Sequence, residues 1–442
     1  MFTKLKLHNF KCFSDFELNL EETKTKKRGK KLAIIYGENG IGKSSIMQAF
    51  DLLKKTLSSK LDSDSFVSFL NAQKNSETED VELLRRIRSR INSTKIEYFI
   101  DDYYKIDADE KMSVIYEGTI DKSGTHYVYE MHFSKKAIIE EKLTIDEKIV
   151  FSIKTNEYNI SDSFFTSGDF NDLIKKDYEM YFGVHTFLSA INNRLSTVSY
   201  SFAKNSINKS LLKLLKQFEE MDLFFSNKIN RYSHYAYTRS SRLLNNLFEG
   251  GYSQKFAKKK DITKELLTKF FSSLYSNIVG VDYDIVSDEE GLSSSYSLVF
   301  IEKSDKGGLV RIPHRLESTG TNKLTTLFSY FYNAIVSDDI LLIDEIESGI
   351  NDILLKNVID SFADEIKGQL IITTHNTYLL SNKNKKYTYI LDRNRGNCVV
   401  TAKSLDSYKK EIQEKTDIIG RYVKGMYGGL PQTNLNAKDF IK

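Results

Sequence analysis

Residues 37–44, Gly-Glu-Asn-Gly-Ile-Gly-Lys-Ser, constrain this chain more than any other stretch of it. They follow the apolar run Leu32–Tyr36 and precede a helical pattern with Ile46, Phe50 and Leu53 on one face. A GxxxxGK[ST] run between a buried strand and an amphipathic helix reads as a phosphate-binding loop. Gly37, Gly40 and Gly42, with Asn39 among them, allow backbone N–H groups to curl around phosphate oxygens, and the helix start adds a favourable dipole. Lys43 is expected to reach β- and γ-phosphates, Ser44 to ligate magnesium, and Ser45 to extend the nucleotide-contacting stretch.

Three further elements fit the same chemistry. Ile340-Leu341-Leu342-Ile343 predicts a central strand whose carboxyl end presents Asp344 and Glu345. Asp344 suits magnesium, directly or through water, and Glu345 suits the orientation or deprotonation of an attacking water. An acid at a helix start is the plainer reading of Glu345. His375 closes the apolar strand Leu370–Thr374 and is placed to meet a γ-phosphate. The other histidines, at 8, 126, 132, 185, 234 and 314, form no comparable set and read as structural. Leu316-Glu317-Ser318-Thr319-Gly320-Thr321 directly precedes a helix with Leu324, Leu327, Phe328 and Phe331 inward. On its own it is a Ser/Thr cap with a glycine, and it also makes a second anion site at a helix start.

Length and composition leave room for two or three structural units in 442 residues. The pattern divides them into an N-terminal lobe over 1–160, a mainly helical insertion or arm over 161–290, and a C-terminal lobe over 291–442. A net charge of +4 is too small to argue for or against nucleic acid. Cys12 and Cys398 make neither a disulfide nor a metal pattern, which with no leader points to a reducing cytoplasm. Apolar runs of a few residues fall short of the roughly 20 that a membrane helix needs. Paired strands are expected at Lys4–Leu7 and Phe10–Leu20, and more strands from Glu97 to Ile153. A helical stretch then runs from Phe164 to Asn277. Ile207, Leu211, Leu214, Phe218 and Met221 repeat at 4-3 spacing, either as the packed face of a helix or as a short arm or dimer contact. The basic runs Lys24–Lys31, Arg85–Arg90 and Lys255–Lys260 are solvated surface or phosphate-backbone contacts.

Taken together, GENGIGKSS, LESTGT, ILLIDE and TTH resemble an ABC-type ATPase head in the order phosphate loop, signature, Walker B, switch histidine. The opening Leu7-His8-Asn9-Phe10-Lys11-Cys12-Phe13 resembles the first strand of Rad50, RecF and SMC heads. ESTGT and the tail Gly420–Pro431 are similar to stand-alone ATPases of prokaryotic phage-defence and abortive-infection systems such as RloA, AriA of PARIS and PtuA of Septu. The resemblance implies an α/β fold, an ABC-type P-loop NTPase head of mixed sheet and flanking helices, with an antiparallel β lobe and a helical insertion. It implies ATP and Mg2+ as cofactors and places Lys11 near the nucleotide. It gives catalytic roles to Glu345, His375 and Lys43, and has Ser318, Gly320 and Thr321 complete the site of a second protomer. Glu347–Ile350 would follow the dimer seam.

Thr321 stands where transporter ATPases carry Gln or Glu, and Gln48 and Gln73 both compete for the Q-loop position. The implied partners are a second copy or higher homo-oligomer, a separately encoded effector of nuclease type, and a trigger that is DNA or a phage protein. No membrane is implied. The 67 residues after His375 are expected to be used up by a hairpin and tail, leaving no place for a nuclease domain. The expected function is therefore an ATP-hydrolysing switch or scaffold of an anti-phage system. The alternatives are a RecF/Rad50-like DNA-repair ATPase, and an assembly in which ATP is a structural ligand.

Overall fold

The opening alternation of apolar and polar residues becomes a hairpin, because residues of one parity share one face of a strand. Strand β1 (Phe2–Phe10) pairs antiparallel with β2 (Phe13–Asn19), and Lys11 and Cys12 make the turn. Lys11 takes a left-handed backbone at φ 52°, and its N–H donates to the Tyr103 carbonyl at 2.8 Å. This computed structural model describes residues 1–23, 28–74, 86, 89–120, 124–226, 242–287, 294–394, 396, 398–408 and 416–430. The chain divides into two units: the first is Met1–Leu223 with Lys385–Lys442, the second Phe224–Asn384.

In the first unit β1 is also paired with β4 (Met112–Thr119), and β5 (His126–Phe133), β6 (Ile138–Ile145), β7 (Lys148–Lys154) and β8 (Glu157–Ile160) follow. They form a seven-stranded antiparallel sheet of order β2-β1-β4-β5-β6-β7-β8. Buried residues alternate along it, so one face is a core. Helix α1 (Lys43–Lys74) lays Ile46, Phe50 and Leu53 against that face, with Phe50 4.8 Å from Phe2 ring to ring. The second structural layer of this unit starts from β3 (Leu32–Tyr36), which is buried along its whole length. It pairs parallel with β16 (Thr388–Arg393), and β16 pairs antiparallel with β17 (Val400–Ser404).

The stretch from Phe164 onward is several short helices rather than one long one. These are α2 (Gly168–Tyr181), α3 (Phe187–Thr197), α4 (Tyr200–Ser206) and α5 (Lys209–Glu219). A polar residue ahead of each (Ser167, Thr186, Ser199 and Asn208) accepts an N–H of the first turn, and so ends one helix run and starts the next. The middle of the 4-3 repeat, Leu211, Leu214 and Phe218, is the packed face of α5, while Ile207 and Met221 flank the helix. All five are buried, and Phe218 stacks on Phe2 at 6.1 Å and meets Tyr127 edge-on at 5.4 Å. Of the arginine run, Arg86 and Arg90 are exposed, while Arg85 and Arg88 lie outside the described residues. So do Lys24–Lys27, His234, Pro431 and the side chain of Gln73.

Strand β9 (Asp222–Phe225) leads into the second unit. There β10 (Glu249–Gly251) and β11 (Ile278–Ser287) flank β12 (Ser294–Lys303), which also pairs with β13 (Leu309–Pro313). Helix α6 (Gln254–Leu274) carries the third basic run, with Lys255 and Lys258 exposed and Phe256 buried. Strands β14 (Ile340–Asp344) and β15 (Gln369–Thr374) are fully buried and parallel, in register from Ile340 with Gln369 to Ile343 with Ile372. Helices α7 (Thr319–Val336) and α8 (Asp352–Phe362) complete this unit. In the first unit α9 (Ile418–Val423) follows β17. No described helix is long and apolar enough to cross a membrane.

Glu141 on β6 is a buried carboxylate at the start of α3. It accepts from the Phe187 and Leu188 N–H groups at 2.5 and 2.9 Å and from the Tyr129 hydroxyl at 2.8 Å. Burial pushes its carboxyl up to about 7, against the pull of the three donors. Glu141→Ala strands those donors and should cost about 2–4 kcal/mol in urea unfolding of this unit. The folded pKa lies above the ordinary 4.5. The favourable contribution is therefore complete below the unfolded value and lost as pH rises toward 7. Across that window the natural protein should lose roughly 3 kcal/mol relative to Glu141→Gln.

Candidate functional site

In the first unit the loop after β3 is shaped by what surrounds it. Gly40 and Gly42 have φ of 75° and 115°, values that a side chain resists. A Cβ on Gly42 would stand 2.5 Å from the Phe13 ring and 2.7 Å from the Cys12 sulfur, so the β1–β2 turn packs directly on the loop. A Cβ on Gly37 would come 2.9 Å from Ile41 and 3.1 Å from Leu391 of β16. The loop is thus bounded on two sides by strands of its own unit. Lys43 opens α1 and is buried. Its ammonium donates to the carbonyls of Gly37 and Glu38 at 2.7 and 2.9 Å, within the loop's own curve. Ser44 and Ser45 are half-buried in the first turn of the helix, and Asn39 and Gly40 are exposed. Lys11 sits in the packing turn, its ammonium 5.4 Å from the centre of the Tyr103 ring.

The spacing of the tail glycines has a local cause here. Gly425, Gly428 and Gly429 all take positive φ. The Gly429 N–H donates to Asp392 Oδ1 at 2.9 Å, and its carbonyl accepts from the Tyr422 hydroxyl at 2.7 Å. The Tyr422 ring stands edge-on to Tyr36 at 5.1 Å, just before the loop over residues 37–42. Burial, with the Glu38 charge nearby, pushes its phenol up to about 12. Arg393, next to Asp392, donates to the Gly40 carbonyl at 3.2 Å. The tail therefore braces the end of β16, and β16 contacts the loop.

In the second unit the carboxyl ends of β14 and β15 bring the acids and the histidine together. Thr373 Oγ1 donates to Asp344 Oδ1 at 2.5 Å and accepts from the Glu345 N–H at 2.9 Å. One hydroxyl fixes the orientation of the first acid and the main chain of the second. Glu345 has φ 49°, in the left-handed region that a glutamate enters only at a cost. Glu347, 6% exposed, accepts from the His375 N–H at 2.9 Å and lies 2.6 Å from His375 Nδ1, both through Oε1. His375 itself is over half exposed, held by its backbone and by one ring nitrogen.

Ser318 caps α7, accepting from the Thr321 N–H at 3.0 Å, with the Thr321 hydroxyl 2.8 Å away. A Cβ on Gly320 would stand 2.6 Å from the Gly349 carbonyl oxygen, and Gly349 has φ 76°. The start of α7 and the turn after β14 thus touch backbone to backbone. Burial pushes the neighbouring Glu317 carboxyl up, with Glu302 adding to the effect.

Sequence reasoning missed Lys323, one turn into α7. It is 7% exposed, and its ammonium donates to the Glu345 carbonyl and to Ser226 Oγ, each at 2.9 Å. Burial pushes it down to about 8, although Glu347, Glu345 and Asp344 oppose this. Only its place in an otherwise apolar helical face gave a signal. Thr373 was legible merely as the end of a strand.

No cluster of three His, Cys, Asp or Glu able to hold a metal occurs among the described residues. A hydroxyl at Ser44 and a carboxylate at Asp344 are hard oxygen donors. Each, within its own unit, is a ligand type that magnesium accepts.

The sequence profile of the AAA ATPase domain family matches residues 1–380. No curated protein matches the chain. Among solved structures it is similar to an SMC head bound to the C-winged helix domain of ScpA, at 14% identity and TM-score 0.47, covering 92% of this chain and 99% of that one. An SMC head with an extended coiled coil from Pyrococcus furiosus, bound to the C-terminal domain of ScpA, gives 15% and 0.44 over 92% and 98%. The SMC head of Thermotoga maritima gives 12% and 0.41 over 91% and 98%. The fold is an α/β ATPase head with an antiparallel sheet and flanking helices. With 380 residues matched, the chain belongs to the AAA ATPase domain family.

Proposed function

We propose that the chain is an ATP-hydrolysing switch that closes a homodimer around nucleotide and governs a separately encoded effector of an anti-phage system. The observation that carries this reading is the backbone contact of Gly320 with Gly349. It makes the anion-binding start of α7 and the turn beside Glu345 and His375 one rigid face. A γ-phosphate gripped from outside by Ser318 and Gly320 would then press on the groups that handle water.

The chemistry follows from charge and geometry. Lys43 and the loop N–H groups neutralise and orient the phosphates. Ser44 and Asp344 would hold magnesium, which draws negative charge from the phosphate oxygens when bound. Thr373 keeps the Asp344 carboxylate and the Glu345 main chain in one orientation, so that Glu345 can receive a proton from water. His375, anchored by Glu347, meets the γ-phosphate. Ser318, Gly320 and Thr321 contribute to the site of the other protomer, and Lys11 lies close to the nucleotide. The tail glycines support the anti-phage branch through their resemblance to defence ATPases, and the effector is assigned as a nuclease.

Lys43→Ala should lower ATP turnover at least about 100-fold and abolish phage protection in cells, read as plaque counts. Glu345→Gln should bind ATP yet hydrolyse it about 100-fold more slowly, and accumulate as a dimer in sedimentation. A Glu345→Gln protein that stays monomeric with ATP would sink the closing model. Gly320→Ala pushes a methyl into the Gly349 carbonyl. It should lose ATP-dependent dimerisation while protomer affinity for ATP stays within about threefold. Co-purification with the neighbouring gene product tests the effector. Turnover stimulated by DNA, with a steep salt dependence, would instead favour the DNA-repair reading.

A further inference from the structure

The main chain at Glu345 poses a physical question. A glutamate at φ 49° is not there by preference, so its surroundings must hold it. Its N–H is taken by Thr373 Oγ1 at 2.9 Å. Its carbonyl accepts from three donors: Lys323 Nζ at 2.9 Å, Ser226 Oγ at 2.9 Å and the Ser348 N–H at 3.2 Å. The Asp344 carbonyl lies 2.8 Å from the same Ser226 hydroxyl, whose one proton is shared between the two carbonyls, and Ser226 accepts from Lys323. The Phe224 ring lies 5.9 Å from the same ammonium.

Lys323 comes from α7, two residues after the capped Ser318–Thr321 turn. Burying an ammonium is expensive unless it is hydrogen-bonded and near opposite charge. Here both conditions hold, with Asp344, Glu345 and Glu347 close by. An apolar residue would pack this face of α7 without that cost, so packing alone does not explain the lysine.

We infer that Lys323 is a positioning residue, tying the signature helix to the backbone of Glu345 and so setting where the water-activating carboxylate points. The inference rests on the ATPase reading for its functional consequence, but the positioning itself is a property of the fold. Lys323 makes a second link between α7 and the turn after β14, at a different point from the Gly320–Gly349 contact. Displacement of the helix start by a bound phosphate would reach Glu345 through this lysine.

The test uses the full chain with Lys323→Met, which keeps length and bulk without the charge, and Lys323→Arg, which keeps the donors. Two readouts are taken. Hydrogen exchange without nucleotide in the peptide spanning residues 344–350 should quicken about tenfold in Lys323→Met and recover at least partly in Lys323→Arg. This readout stands even if the protein hydrolyses no ATP. Steady-state turnover in Lys323→Met should fall about 10- to 100-fold with ATP affinity within about twofold, and Lys323→Met should add no further loss in the Glu345→Gln background. Unchanged exchange in that peptide overturns the positioning. Turnover within twofold of the parent, or a loss matched by an equal loss of ATP affinity, overturns its catalytic consequence. A parent whose turnover does not depend on Lys43 instead overturns the ATPase reading and leaves the exchange result to decide the positioning.

Discussion

Helix α7 begins so close to the turn after β14 that a methyl group on Gly320 would stand 2.6 Å from the Gly349 carbonyl oxygen. Real side-chain carbons do not approach backbone oxygen at that distance, so residue 320 has no alternative to glycine without a shift of the helix or the turn. Much of the second unit's arrangement follows from this approach. It lets Ser318 and Thr321 cap the helix beside the acids, and it brings Lys323 within reach of the Glu345 carbonyl. Contact between two stretches of backbone also transmits displacement better than contact between flexible side chains, because close-packed atoms leave little slack.

The acidic end of β14 is built against local preference in two ways. Glu345 occupies a left-handed conformation that costs on the order of 1–3 kcal/mol, and Lys323 is charged in a place from which water is largely excluded. Each feature makes the other tolerable. The ammonium needs acceptors and finds the Glu345 carbonyl, while the carbonyl is turned toward it by the unusual φ. The phosphate loop shows the same economy, since Gly42 reaches φ 115° in the space left by Phe13 and Cys12.

What could be read from the sequence was what is local in it. The β1–β2 pairing, the buried strand 32–36, the helix starting at Lys43 and the strands ending in Asp344 and Thr374 were legible because pattern and neighbours agree. The stretch from 164 to 277 was less so. Apolar spacing at Ile207, Leu211, Leu214 and Phe218 shows that a helix has a buried face, but not what covers it, and here the cover is the helix's own sheet. Helix ends there depend on single caps such as Thr186 and Asn208, which look like ordinary loop residues. Lys323 and Thr373 were illegible for a different reason. Their roles come from partners 22 and 29 residues away in the chain, at Glu345 and Asp344. The left-handed turn at Glu345 has no glycine to announce it.

The first unit is assembled from distant parts of the chain, with the second inserted between them. Strand β3 is paired with β16, more than 350 residues later, and the tail that braces β16 follows after that. A growing chain leaving the ribosome at about 5–20 residues per second therefore exposes Leu32–Tyr36 for tens of seconds before β16 emerges. The contiguous second unit has all its residues first. Synthesis itself thus imposes an order in which β16, the partner of β3 in the first unit, arrives after the whole second unit, and the apolar strand Leu32–Tyr36 waits for it meanwhile.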